Sequence, residues 1–317
     1  MTSNQEAKPP PVSFLGIGAQ KSGTTWLYKN LQRHPQIWLP AAKELHYFSS
    51  SPQYPSPNRL GIPSRVERFM GCGAASREAR RMLVRRFGKF LRTRDFLQLV
   101  NELKCEFGYY DDDWYLSLFR PANGRVAGEI TPAYALLDQE DVSRVVQLLS
   151  QPKIIFIMRD PIDRAWSQLR RIKGNRKVDT KVEYMFKIID GEHQSLRGNY
   201  QRTLDIWGEF IPSDRMFVCF FEEIRDHPAK LLSRLFEFLE VDALDSVIES
   251  EQAKDKVNEG RLLDSIPSVI EHYLAERYLP MLQSLAASYG SYPSTWLQRA
   301  EAVLSTENRS RVSDSKY

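Results

Sequence analysis

Cysteine is scarce in this chain: Cys72, Cys105 and Cys219 lie far apart and show no metal-ligand spacing. That argues against a disulfide framework and against a metal site. Long apolar runs are missing as well. No stretch of about 18 apolar residues encodes a membrane-crossing helix. The polar, proline-rich start from Met1 to Pro11 carries nothing suited to a signal peptide. A soluble, cytoplasmic protein is therefore expected. Excess charge of one sign is also lacking: 44 Lys and Arg stand against 40 Asp and Glu, a net +4. That argues against a general nucleic-acid binder. Internal repeats and low-complexity tracts are absent, and nothing in the pattern speaks to oligomeric state.

What is present points to one α/β domain. A chain of 317 residues with 42% apolar content can bury a sizeable core. Val12 to Ile17, Arg125 to Ile130, Lys153 to Met158 and Met216 to Phe221 read as short buried strands, with Gln36 to Leu39 as a further extended piece. Between them lie helical stretches: one after Thr25, Val142 to Leu149, a basic one over 77–104, and those over 228–240 and 266–287. Strands separated by helices predict a three-layer α/β/α fold around a central parallel sheet. The domain is expected over residues 12–300, with a disordered tail at 1–11 and a polar tail at 301–317.

The most informative segment is Phe14-Leu-Gly-Ile-Gly-Ala-Gln-Lys-Ser-Gly-Thr-Thr-Trp-Leu27. Strand, glycine-bounded loop and helix together aim backbone N–H groups and a positive helix end at a phosphate. The spacing Gly18-x-x-x-x-Gly23 copies an NTPase P-loop, but Thr24 stands where that loop carries its lysine. The lysine sits inside the loop, at Lys21. Ammonium and hydroxyls in one turn are what phosphate oxygens want.

A second segment runs Phe156-Ile-Met-Arg-Asp-Pro-Ile-Asp-Arg-Ala-Trp-Ser-Gln168. Arg159 falls at the carboxyl end of a strand, where open α/β sheets bind ligands. Asp160-Pro161 is an N-cap followed by proline at the first helical position. Ser167 comes about two turns into that helix.

Together these segments resemble the sulfotransferases that use 3′-phosphoadenosine 5′-phosphosulfate, in the heparan-sulfate-type and bacterial carbohydrate branches. The resemblance runs from about Val12 to about Tyr289. It implies that Lys21, Ser22, Gly23, Thr24 and Thr25, with Trp26 following, hold the 5′-phosphosulfate, and that Arg159 and Ser167 bind the 3′-phosphate. Lys21 would stabilise the bridging oxygen, and no metal is needed. Gly128-Glu-Ile-Thr-Pro-Ala-Tyr134 resembles the family's Glu-Lys-Thr-Pro-x-Tyr segment, which implies Glu129 as general base, although Ile130 stands where relatives often have lysine. Lys43-Glu44-Leu-His46-Tyr-Phe48 resembles a stretch bordering the acceptor site, implying Lys43 as an acceptor contact and His46 as an alternative base. Val257-Asn-Glu-Gly-Arg261 matches a cofactor-covering loop at Gly260 and Arg261, with Glu259 in place of a cation. Tyr200 lies either near the adenine or in the core.

Two basic clusters remain. Residues 77–94 carry eight cations against Glu78 alone, and Arg170, Arg171, Lys173, Arg176 and Lys177 form the second. A solvated face, an acidic glycan, an anionic membrane and a carrier protein all fit the first cluster; the second suits one wall of an acceptor cleft. The expected activity is sulfuryl transfer to a hydroxyl, or less readily an amine, of a saccharide or glycan. A lipid or natural-product alcohol and, more remotely, a P-loop nucleotide kinase are the alternatives.

Overall fold

The computed structural model describes residues 12–51, 53–54, 70–94, 99–100, 103–105, 109–175, 182–250, 253 and 265–314. Its first apolar run forms β1 (Phe14–Gly18), and the helix after the loop is α1 (Thr24–Arg33). Then come β2 (Ile37–Trp38), the basic helix α2 (Ala74–Thr93) and α3 (Asp112–Ser117). The next strand–helix pairs are β3 (Val126–Ile130) with α4 (Gln139–Leu149), and β4 (Lys153–Met158) with α5 (Pro161–Asn175). Three helices follow, α6 (Val182–Asp190), α7 (Glu192–Gly198) and α8 (Tyr200–Phe210). They lead to β5 (Met216–Phe220), α9 (Phe221–Asp226) and α10 (Pro228–Leu239). Two long helices, α11 (Ser268–Tyr289) and α12 (Ser291–Asp314), complete the described fold.

The strands form one sheet in the order β2-β3-β1-β4-β5, and every neighbouring pair is parallel. Strand β4 shows why its sequence reads as an unbroken apolar run. Ile154, Phe156 and Met158 point to one face, where they join Val142, Val145, Trp207, Leu274 and Trp296. Ile155 and Ile157 point to the other, against Trp26, Leu31, Leu235 and Phe236. Side chains alternate along a strand, so a strand covered on both faces must be apolar throughout. Each such side chain stabilises the fold by about 1.5–3 kcal/mol relative to exposure. The three-layer α/β/α arrangement is as expected.

Boundaries moved in places. The basic helix ends at Thr93, where Arg94 takes a left-handed φ of 54°. The strand at 216 stops at Phe220, because Phe221 opens α9. Helix α12 runs on past residue 300 to Asp314, so most of the segment expected as a polar tail is helical. Asp160 caps α5 as expected: its Oδ1 accepts from the Ile162 amide at 2.8 Å. The other carboxylate oxygen accepts from Arg299 of α12 at 2.7 Å; Arg299 also donates to Asp163 at 2.8 Å and Glu271 at 2.7 Å. The long C-terminal helix pair is thereby fastened behind the end of β4.

Candidate active site

The loop between β1 and α1 opens at the carboxyl end of the central strand, flanked by the ends of β3 and β4. Glycine is required at its last position. Gly23 has φ 88°, and a Cβ there would meet Ile224 Cδ1 at 2.5 Å. No side chain caps α1, so its first-turn amides face the loop unclaimed by a cap.

A cavity of about 250 Å3 lies against this loop. Gln20, Lys21, Gly23, Thr24 and Thr25 form its floor; Lys43, Glu44 and Pro132 form one side, and Arg159, Ser167, Arg171 and Phe221 the other. Arg159 and Ser167 thus meet on one surface although seven residues lie between them in the chain. The Arg159 guanidinium lies 4.4 Å from the Phe221 ring centre and donates to the Lys21 carbonyl at 3.2 Å. Tyr200 braces this corner from behind, its hydroxyl donating to the Arg159 carbonyl at 2.9 Å, so it belongs to the core. The Lys21 pKa is lowered, first by burial and then by Arg171, Arg159 and Arg170. An anion in the cavity would reverse that shift.

Three non-glycine residues hold left-handed backbone here: Lys21 (φ 77°) and Glu44 (φ 62°) in the cavity lining, and His46 (φ 61°) just outside it. Such conformations cost energy in L-residues and gather where side chains must be aimed. Lys43 Nζ donates to Thr25 Oγ1 at 3.1 Å and to Glu44 Oε1 at 3.0 Å, tying the loop to the carboxylate. His46 Nε2 is 3.8 Å from Glu44 Oε2, and its Nδ1 hydrogen-bonds Ser49 Oγ at 3.2 Å. Burial pushes the Glu44 carboxyl up, but His46 and Lys43 outweigh it and hold the pKa at about 2.

Glu129 is placed differently from what its motif implied. Its side chain lies beneath the cavity wall at 2% exposure and accepts three hydroxyl hydrogen bonds. Tyr115 and Tyr134 donate to Oε1 at 2.8 and 2.9 Å, and Thr131 donates to Oε2 at 2.7 Å. Burial raises its pKa, opposed by those hydroxyls. The Tyr134 oxygen in turn accepts from the Tyr47 amide at 3.0 Å, and the Glu44 amide donates to the Ile130 carbonyl at 3.2 Å. Glu129 therefore supports the strand end and the turn carrying Glu44, and it does not line the cavity.

Two further expectations are corrected. Trp26 is core: its indole N–H donates to the Ala253 carbonyl at 2.9 Å and its ring packs with Leu27, Leu31 and Ile224. Ser22 is wholly buried under the loop and does not line the cavity. Gly260 and Arg261 lie outside the described residues. Sequence reasoning missed Glu44, Gln20 and Phe221. Glu44 had a signal, standing between Lys43 and His46, both read as acceptor-side residues.

A family model for the sulfotransferase family matches residues 13–245. The chain belongs to the sulfotransferase family. It is 26% identical over 224 residues to human heparan sulfate glucosamine 3-O-sulfotransferase 3B1, covering 65% of this chain and 57% of that protein. It is 24% identical over 243 residues to human bifunctional heparan sulfate N-deacetylase/N-sulfotransferase 2, covering 71% of this chain and 22% of that one. The chain therefore matches only part of each curated relative. A crystal structure of a sulfotransferase from Alicyclobacillus acidocaldarius shares the fold, with a TM-score of 0.59 at 22% identity over 92% of this chain and 99% of that one. No described helix of this sulfotransferase-family chain is long and apolar enough to cross a membrane.

Proposed function

We propose that this chain transfers the sulfuryl group of 3′-phosphoadenosine 5′-phosphosulfate to a hydroxyl of a saccharide, with Glu44 as the base. The observation that carries the reading is the joining of Lys21, Arg159, Ser167 and Glu44 on one cavity. The wall cations suit a donor with two separate anionic ends. Arg159 and Ser167 fit the 3′-phosphate; Lys21, Thr24, Thr25 and the first-turn amides of α1 fit the 5′-phosphosulfate. The saccharide class follows from the glycan-directed names of the two human relatives.

The reaction breaks the bond between sulfur and the bridging phosphate oxygen and forms one between sulfur and the acceptor oxygen. The acceptor proton passes to Glu44, and the leaving oxygen's charge is met by the Lys21 ammonium. Accessibility favours Glu44 over Glu129 in this reading. Glu129 is the stronger base in the empty site, but Glu44 is 38% exposed and at the cavity surface. A pKa of about 2 suits an empty, cation-rich cleft. Bound donor adds negative charge beside Glu44 and raises its proton affinity when the acceptor arrives. Lys43, shared between Thr25 and Glu44, holds the base in register with the donor loop.

The test is calorimetric binding of adenosine 3′,5′-bisphosphate against ATP, with and without Mg2+, followed by sulfate transfer to a panel of glycan oligosaccharides. Tight, Mg2+-independent bisphosphate binding with weak ATP binding is expected. Mg2+-dependent ATP binding with no response to the bisphosphate would overturn the reading.

A further inference from the structure

Helix α2 lies outside the site, and its sequence is not what a solvated helix needs. Val84, Phe87 and Leu91 are exposed at 71%, 45% and 62%. Spaced by three and seven residues, they form one stripe along the helix. Leu83 and Phe90 lie along one edge of the stripe, about a quarter turn round the helix from its middle, and are half-buried. The stripe is the exposed part of this apolar face, continued by Arg77 and Arg80 and flanked by Arg81 and Arg85. A broad depression of about 450 Å3 opens between those arginines and Val84.

The two properties together select the partner. An acidic glycan would meet the arginines but has no use for Val84, Phe87 and Leu91. A second copy of the helix would match the apolar stripe but set eight cations of residues 77–94 against eight. An anionic lipid surface satisfies both, taking the apolar side chains between headgroups and the arginines at the phosphates. We propose that α2 is a docking helix for anionic membrane, laying the chain on a lipid surface without crossing it. The inference is independent of the reading of the catalytic site.

The experiment is co-sedimentation of the full chain with vesicles of phosphatidylcholine alone and with about 30% phosphatidylserine, at about 0.15 M salt. Binding roughly tenfold stronger to the serine-containing vesicles is expected. The double variant Phe87→Asp/Leu91→Asp should lose most of it, and Arg80→Gln/Arg81→Gln/Arg85→Gln should lose it and flatten its salt dependence. Circular dichroism and bisphosphate binding are expected to match the parent in both, which shows that the fold survives. Equal binding to the two vesicle types would overturn the proposal, as would parent-like binding by the aspartate variant. So would absent vesicle binding combined with heparin retention, or with a dimer that the aspartate variant dissociates.

Discussion

A lone cation and a group of cations stand back to back at the end of β4, and the protein treats them oppositely. On the rear side Arg299 meets Asp160, Asp163 and Glu271, all within 2.8 Å, and its pKa is raised by Asp160 and Asp163 against the effect of burial. On the cavity side Lys21 is partly buried with Arg171, Arg159 and Arg170 as its strongest charged neighbours, and its pKa is lowered. The backbone passes from one environment to the other in a single step, from Arg159 to Asp160. A cation surrounded by carboxylates is finished structure. Cations gathered around one another are a site that gains stability when negative charge arrives.

The sharpest test of the cavity side is at its two carboxylates. Glu44→Gln should reduce turnover roughly a hundredfold or more while leaving bisphosphate affinity within about twofold. If turnover survives there and collapses in Glu129→Gln, the roles are reversed. Next come the two arginines. Arg159→Ala is expected to weaken bisphosphate binding by about tenfold to a hundredfold, with little loss of stability. Arg299→Ala should do the opposite, costing about 2–3 kcal/mol by leaving Asp160 buried and unpaired. Calorimetric binding beside denaturant unfolding separates the two, and a swap of outcomes would erase the distinction.

Glu129→Gln should lower stability by about 1–3 kcal/mol, since Tyr115, Thr131 and Tyr134 lose a charged acceptor. Unfolding in urea reads this directly.

The last effect, spread over a range of pH, is a slope from Glu222. Trp296 donates to its Oε1 at 3.0 Å, and burial with Asp160 nearby pushes its carboxyl up to about 7. The folded state therefore holds this proton more tightly than the unfolded chain, whose glutamate releases it near pH 4.3. Stability from this group is full below about pH 4 and declines as pH climbs to about 7. Melting scans should show a decline of a few degrees across that window that is shallower in Glu222→Gln. Identical slopes in the two proteins would remove Glu222 from the account.

Much of this was legible in the residues. The doubly apolar β4, the glycine loop and the Asp160-Pro161 cap each follow from local chemistry, and they put Lys21 in the loop, Arg159 at the strand end and Ser167 on the next helix. Glu44 and Glu129 were not separable that way. Both sit in polar–aromatic stretches, and only the three hydroxyls that close around Glu129 show which carboxylate is sealed. Trp26 was misplaced for a similar reason: its burial depends on Ala253, 227 residues away. The exposure of Phe87 and Leu91 was equally invisible, because an apolar residue in a helix reads as core until its face is known.

The Arg299–Asp160 pairing spans 139 residues of chain. On a ribosome adding about 5–20 residues per second, β4 emerges roughly 7–30 seconds, and the phosphate loop about twice as long, before the arginine that secures the end of β4 from behind. In that interval β5, Phe221 and Ile224 reach the loop, and the end of β4 waits for its fastening until almost the whole chain is made.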